Sequence, residues 1–434
     1  MGTSVLTDPF PRVDGELRGG AFRLSELAER FGTPLYVYDI EYVASCYHAF
    51  TGAFREADHL VAYSVKANGN LAILHRLGRL GAGADIVSLG ELHRALRAGI
   101  PPERILYAGV GKTKLELQEG LRAGIHAFNV ESRGELERLD LVASGLGVVA
   151  PFAVRVNPDI LSPTPHEYTR TGHAASKFGV PVDEAFDLYD WARGRPHLHA
   201  RGIDVHIGSQ ILDPVPYLDA LTCMVDMVGP LRRAGDRLEF VDLGGGYGVP
   251  YREETRLSPE DLASRILPLI RPLDIRLVLE PGRFIVGEAG VLLTRVEYVK
   301  RVGSKVFVVV DGGMSELIRP SHYGGYHAIE LVKLPGLRPV EEVDVVGPIC
   351  ESGDFLARSR PLEVPEAGKL LAVRTAGAYG FAMASNYNAR RRPAEVVVES
   401  DRVHLVRARE TIEDLVRGEV IPWEEPGAGG AVEP

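Results

Sequence analysis

Val61-Ala62-Tyr63-Ser64-Val65-Lys66-Ala67-Asn68 is a short apolar run that ends on a lysine, and it opens a rhythm that continues to Glu280. Short β-branched or apolar runs recur at 61–65, 84–87, 105–108, 127–130, 152–156, 202–207, 239–243 and 276–280. Between them lie longer Ala/Leu/Glu/Arg-rich stretches, such as 115–123 and 132–143, whose apolar residues recur at helical spacing. Strand candidates that alternate with helices indicate an α/β architecture with a parallel sheet. Periodicity alone also fits an open doubly wound sheet. The count of eight favours a closed, TIM-like (β/α)8 barrel.

After Gly290 the texture changes. Runs at 292–298, 305–310, 343–346, 369–374 and 394–399 are strand-like, with turn signals between them and few long helical patterns. They point to a separate β domain of sandwich or Greek-key type, which the strand-like 35–38 could join. The expected division is a barrel over 40–288, a β domain made of 1–39 and 289–425, and a flexible Gly/Pro-rich tail over 426–434. A chain of 434 residues exceeds what one hydrophobic core usually serves, which agrees with two domains.

Composition excludes several classes. The net charge is −10 with Lys and Arg scattered, which argues against nucleic acid or an anionic membrane as partner. No apolar run approaches the ~20 residues that span a bilayer. The segment from Met1 to Gly15 carries Asp8 and Asp14 and no apolar core, unlike a secretory signal. Leu6 stands where myristoylation needs Ser or Thr. Cys46, Cys223 and Cys350 form no Cys-x-x-Cys pair and no even disulfide set, so a reducing cytoplasm is expected. His48, His75, His93 and His126 lack ligand spacing and no H-E-x-x-H occurs, so no metal is expected.

In barrel enzymes the chemistry sits at the carboxyl ends of the strands. Lys66 follows the first run, Asn157 the fifth, and His206 lies near the end of the sixth. Gly244-Gly245-Gly246 follow the seventh and Glu280 closes the eighth. A lysine beside Val65 and Ala67 can be partly desolvated, which lowers an amine's pKa and favours nucleophilic attack. The plainer reading is a lysine that snorkels at a strand end. The triple glycine is a candidate phosphate cradle or simply a tight turn, and its place after the seventh strand favours the cradle. Glu280 could hold the proton on a pyridine nitrogen, or pair with Arg283 at the surface. In the β domain, Arg319 and Tyr323 and the segment from Gly347 to Asp354 stand out. Cys350, flanked by Glu351 and Asp354, suits a neutral proton-donating thiol; buried structural cysteine is the alternative.

Together these motifs, in their order along the chain from about Thr33 to Val406, resemble the fold-type III decarboxylases that use pyridoxal 5′-phosphate (PLP). The resemblance implies that Lys66 links to the cofactor aldehyde as an imine and that His206 stacks on its ring. It implies a phosphate site made by Ser209, the Gly244-Gly245-Gly246 loop and Tyr379, with Gly282 and Arg283 also binding the cofactor. Glu280 is implied to face the ring nitrogen, with Asp85 and Arg155 supporting lysine and ring from below. Cys350 corresponds to the catalytic proton donor, which in this family comes from the partner subunit, so a homodimer with shared active sites is implied.

Substrate choice follows the same resemblance. Cys350-Glu351 and Met314-x-x-Leu317-x-Arg319-Pro320-x-x-Tyr323 resemble the diaminopimelate branch, whereas the ornithine branch carries Cys-Asp. Arg283, Arg319, Tyr323 and Tyr379 would receive the substrate, with guanidinium forks for a distal carboxylate and Glu351 for the distal ammonium. The implied reaction is decarboxylation of meso-2,6-diaminopimelate to L-lysine and CO2. The rivals are a relative acting on ornithine, lysine or a carrier-tethered amino acid, and a non-catalytic regulatory homologue. The last is disfavoured because Lys66 and Cys350 are both retained. Pro165 before His166-Glu167-Tyr168, and His322 before Tyr323, depart from the family pattern near the substrate pocket.

Overall fold

A computed structural model of the chain describes residues 6–160, 166, 176–334 and 339–423. Pro165, Glu167, Tyr168 and the tail 426–434 lie outside the described residues. All eight runs of the rhythm are strands, and they close into one parallel barrel. In chain order they are His59–Ser64, Gly83–Ile86, Ile105–Tyr107, Ala127–Val130, Ala150–Val156, Leu198–Val205, Phe240–Asp242 and Arg276–Leu279. The ring closes where Arg276–Leu279 pairs with His59–Ser64. The (β/α)8 reading is borne out.

Short loops are possible because the helices end cleanly. Ser88, Thr113 and Ser132 each accept a backbone N–H from the first turn of the helix they start, which satisfies donors that a helix cannot satisfy itself. Gly81, Gly124 and Gly147 end helices in the left-handed conformation.

The barrel interior explains the site. Side chains of a strand alternate between its two faces, so inward residues recur every second position. Leu60, Ala62, Leu106, Ala127, Ala153, Phe240 and Val278 form an apolar plug. Two residues further along five of these strands, the inward positions are Ser64, Asn129, Arg155, Asp242 and Glu280, all buried. Asp85 and Asp204 join this layer two positions beyond Gly83 and Gly202. Register places Ser64 beside Asp85, and Asp204 beside both Arg155 and Asp242. Gly202 makes room for the plug, because a Cβ there would collide with the Phe240 ring.

The second unit is a nine-stranded mixed sheet built around the long strand Gly290–Val302. Its first half pairs with Leu35–Asp39 on one edge and Leu370–Val373 on the other, and its second half pairs with Lys305–Val310. Leu35–Asp39 thus belongs to this sheet, parallel to Ala394–Glu399. Phe355–Glu363 and Arg402–Arg407 are strands that the sequence pattern missed. They end the sheet on either side, and their sequences FLARSRPLE and RVHLVR carry charges where a buried strand would be apolar.

The plug is the foundation of the reactive layer. Phe240→Ala is expected to cost about 3–5 kcal/mol by leaving a cavity among the other six plug residues. A denaturant midpoint unchanged from wild type would contradict this packing.

Candidate active site

The first strand ends at Ser64, and a single 3-10 turn, Val65–Ala67, turns Lys66 toward the barrel mouth. Its Nζ donates to Oδ2 of Asp85 at 3.1 Å, and Ser64 Oγ donates to the same oxygen at 2.5 Å. Burial acts to lower the Lys66 pKa, but Asp85, then Tyr379 and Glu280, act against it, and the net shift is upward. The expected depression is therefore corrected. The neighbours of Lys66 along the chain are apolar, but Asp85 on the adjacent strand faces its Nζ, so the unliganded amine is an ammonium.

Behind the lysine lies the polar layer. Arg155 is buried and donates to Glu131 at 3.1 Å, and Glu131 also accepts the N–H groups of Gly109 and Gly179. Asp204, Asp242 and Glu280 have carboxylate oxygens within 4.8 Å of one another. Burial first, and then like-charged neighbours, push Asp204 and Glu280 well above the usual carboxylate range. Asp242 shifts the same way, chiefly through burial, against a bond from the Gly244 N–H. The expectation of no metal weighed only histidine and cysteine spacing, and this carboxylate group escaped it. Acids buried and crowded in this way are relieved by a cationic N–H placed beside them.

Above this layer is a cavity of about 430 Å³. Lys66, His206, Ser209, Gly246, Glu280, Gly282, Arg283, Arg319, Tyr323 and Tyr379 all line it. Asp85, Arg155 and Gly245 do not line it; Asp85 and Gly245 bond to Lys66 and His206, which do. His206 Nδ1 accepts the Gly245 N–H at 3.0 Å, which leaves the ring's proton on Nε2 if the imidazole is neutral. Burial, then Lys66 and Arg155, hold its pKa well below the usual value, so it is neutral. A Cβ on Gly245 would strike the Glu280 carbonyl, and one on Gly246 the Gly208 carbonyl; Gly246 also has φ of +95°. The turn is therefore pressed against its neighbours and requires glycine. Tyr379, with φ of +56°, is held beside the lysine turn by its N–H bond to the Ala67 carbonyl at 2.8 Å.

Arg283 is buried and does not form the surface pair with Glu280 that was one alternative. It donates to Tyr251 Oη at 2.6 Å and to Ser209 Oγ at 3.1 Å. Arg319 lies over the Tyr251 ring at 4.7 Å. Cys350 is exposed, which removes the buried structural alternative, and neither Cys350 nor Glu351 lines this chain's cavity. Asp354 shapes their loop by accepting the N–H groups of Met314 and Ile349, each at 2.6 Å. Asp311 is a stitch too, holding Thr33 and Thr294.

Sequence reasoning missed Ser64, Glu131, Asp204, Asp242 and Tyr251. For the two aspartates a signal existed: Ile203-Asp204-Val205 and Val241-Asp242-Leu243 repeat the apolar-Asp-apolar pattern of Ala84-Asp85-Ile86. An acid inside a barrel run either faces inward or breaks the strand.

The residues present fit PLP. Glu280 Oε1 is buried without a hydrogen-bond partner, the glycine turn leaves no room for side chains, and Lys66 shares the cavity with both. Residues 41–287 match the pyridoxal binding domain of the pyridoxal-dependent decarboxylases. The chain is 48% identical to diaminopimelate decarboxylase of Pseudomonas aeruginosa, over 95% of this chain and 99% of that one. It is also 48% identical to that of Aquifex aeolicus, over 93% and 95%. The crystal structure of diaminopimelate decarboxylase from Helicobacter pylori, complexed with L-lysine, superposes with a TM-score of 0.88 at 40% identity, covering 91% and 98%.

Gly245→Ala is expected to weaken PLP binding at least about tenfold, since displaced turn atoms would forfeit backbone hydrogen bonds to phosphate worth more than 1.4 kcal/mol. Titration of the apoprotein by cofactor absorbance measures it. Wild-type affinity would remove the turn from the phosphate site.

Proposed function

The chain belongs to the pyridoxal-dependent decarboxylases and, within them, to the diaminopimelate decarboxylases, and on that footing we propose that it converts meso-2,6-diaminopimelate to L-lysine and CO2 as a PLP enzyme. The observation that carries the substrate reading is a pair of buried guanidinium groups. Arg283 and Arg319 line the cavity that holds Lys66, and neither has a carboxylate partner among the described residues. Such cations await an anion. A distal carboxylate supplies it, whereas ornithine would leave at least Arg319 uncompensated, a penalty of roughly 2–5 kcal/mol.

PLP, when bound, supplies an aldehyde for amine exchange and a ring that accepts the electron pair released as CO2 leaves. Lys66 would hold the aldehyde end, and Asp85 would keep the displaced ammonium close by. His206, neutral, would cover one ring face. Ser209, Gly245, Gly246 and Tyr379 would hold the phosphate, with Arg283 tied to Ser209. Glu280 Oε1 would hold the proton on the ring nitrogen, and the raised pKa values beneath it favour that charge pairing. Arg155 balances the acids below.

The final step needs a proton at the carbon that CO2 vacates. Cys350 and Glu351 sit on an exposed turn away from this chain's own cavity. In our reading Cys350 of the partner subunit donates that proton, Glu351 of the partner subunit receives the distal ammonium, and the working unit is a homodimer. No helix of the described residues is long and apolar enough to cross a membrane. The three cysteines are free thiols, which supports a cytoplasmic setting.

Incubation with meso-diaminopimelate and PLP is expected to yield L-lysine and CO2 in equal amounts, with L-ornithine turned over at least about 30-fold less efficiently in kcat/KM. Equal turnover of both would overturn the substrate assignment. Lys66→Ala and Cys350→Ala should each be nearly inactive alone. Mixed and allowed to exchange subunits, they should recover up to about a quarter of wild-type activity, since half the dimers then carry one intact shared site. No recovery despite exchange would mean each site is built from one chain.

A further inference from the structure

His327 is completely buried, lies outside the cavity lining, and is named by no motif of the sequence reading. Its Nε2 lies 2.6 Å from Nη1 of Arg319, and its Nδ1 lies 2.8 Å from the carbonyl oxygen of Arg374. A guanidinium only donates, so Nε2 must be the acceptor. A carbonyl only accepts, so Nδ1 must carry the proton. Both contacts are satisfied by one species, the neutral Nδ1–H imidazole. Burial and then the Arg319 charge hold the His327 pKa well below its usual value, in agreement. The residue is held on other sides as well: Arg360 donates to the His327 backbone carbonyl at 2.7 Å, and the Tyr251 ring meets the imidazole edge-on at 5.3 Å.

We propose that His327 is a positioning residue that aims the Arg319 guanidinium at the distal carboxylate of the substrate, and so sets specificity without touching it. Arg319 starts on the short helix Arg319–Tyr323, and its long side chain has many rotamers. One donor is anchored by His327 and the face of the guanidinium rests on Tyr251, which leaves the remaining donors toward the cavity. A carboxylate anchor in place of His327 would neutralise the arginine and compete with substrate. A neutral acceptor holds the group and leaves its charge available.

The proposal rests on the reading of Arg319 as the distal-carboxylate site, and the test separates the two. Calorimetry on the PLP-loaded protein compares L-lysine with 1,5-diaminopentane, the same chain without the carboxylate. His327→Asn keeps a donor for the Arg374 carbonyl and loses the acceptor for Arg319. His327→Gln reaches the Arg319 position with an amide oxygen. Wild type should prefer L-lysine. His327→Asn should bind L-lysine about tenfold more weakly with diaminopentane unchanged, and raise KM for meso-diaminopimelate more than it lowers kcat. His327→Gln should recover most of the preference. If wild type shows no preference, the Arg319 reading fails and the proposal falls with it. If wild type prefers L-lysine and His327→Asn keeps that preference, or loses both ligands equally, the proposal alone is overturned.

Discussion

The 3.1 Å contact between the Lys66 ammonium and Asp85 Oδ2 sets a positive charge on a layer crowded with buried acids. Asp85, Asp204, Asp242 and Glu280 all point into the barrel, and Arg155, itself shared with Glu131, is the other nearby cation among the described residues. Buried carboxyls without compensation are costly, and breaking one buried pair costs about 3–5 kcal/mol. The layer is bearable because it rests on an apolar plug and because some of its acids keep their protons. A protonated ring nitrogen placed against Glu280 would relieve the same strain. The electrostatics of the unliganded barrel therefore favour a ligand that places a cationic ring nitrogen against Glu280.

The barrel supplies the floor of the cavity, and the sheet supplies much of the roof. Arg319, Tyr323 and Tyr379 come from segments after Gly290, far in sequence from Lys66. Tyr251, in the loop beyond the glycine turn, joins the halves by accepting from Arg283 and lying beneath Arg319. In the proposed reaction, cofactor chemistry would thus fall mainly to strand ends, which pleating fixes tightly. Substrate selection would fall to aromatic and guanidinium groups that loops hold in place.

Much of this was legible in the sequence. The eight barrel strands were found because buried parallel strands are short continuous apolar runs, and Leu35–Asp39 was found for the same reason. Lys66, His206 and Glu280, which line one cavity, stood out because chemistry collects where such runs end. Phe355–Glu363 was hidden because a charged edge strand resembles a loop. The direction of the Lys66 pKa was misread because Asp85 is adjacent only through the register of the next strand. Asp204 and Asp242 were overlooked, although an acid within an apolar run was visible. His327 was invisible: its role depends on Arg319 eight positions earlier and on a carbonyl 47 positions later.

The central claim is that the Lys66 amine bonds the cofactor. Reducing the PLP-loaded protein with borohydride and mapping its peptides by mass spectrometry tests this directly. A pyridoxyl group on Lys66 is the expected result. A pyridoxyl group on another lysine, or a fully loaded protein that retains no covalent mark after reduction, would contradict it.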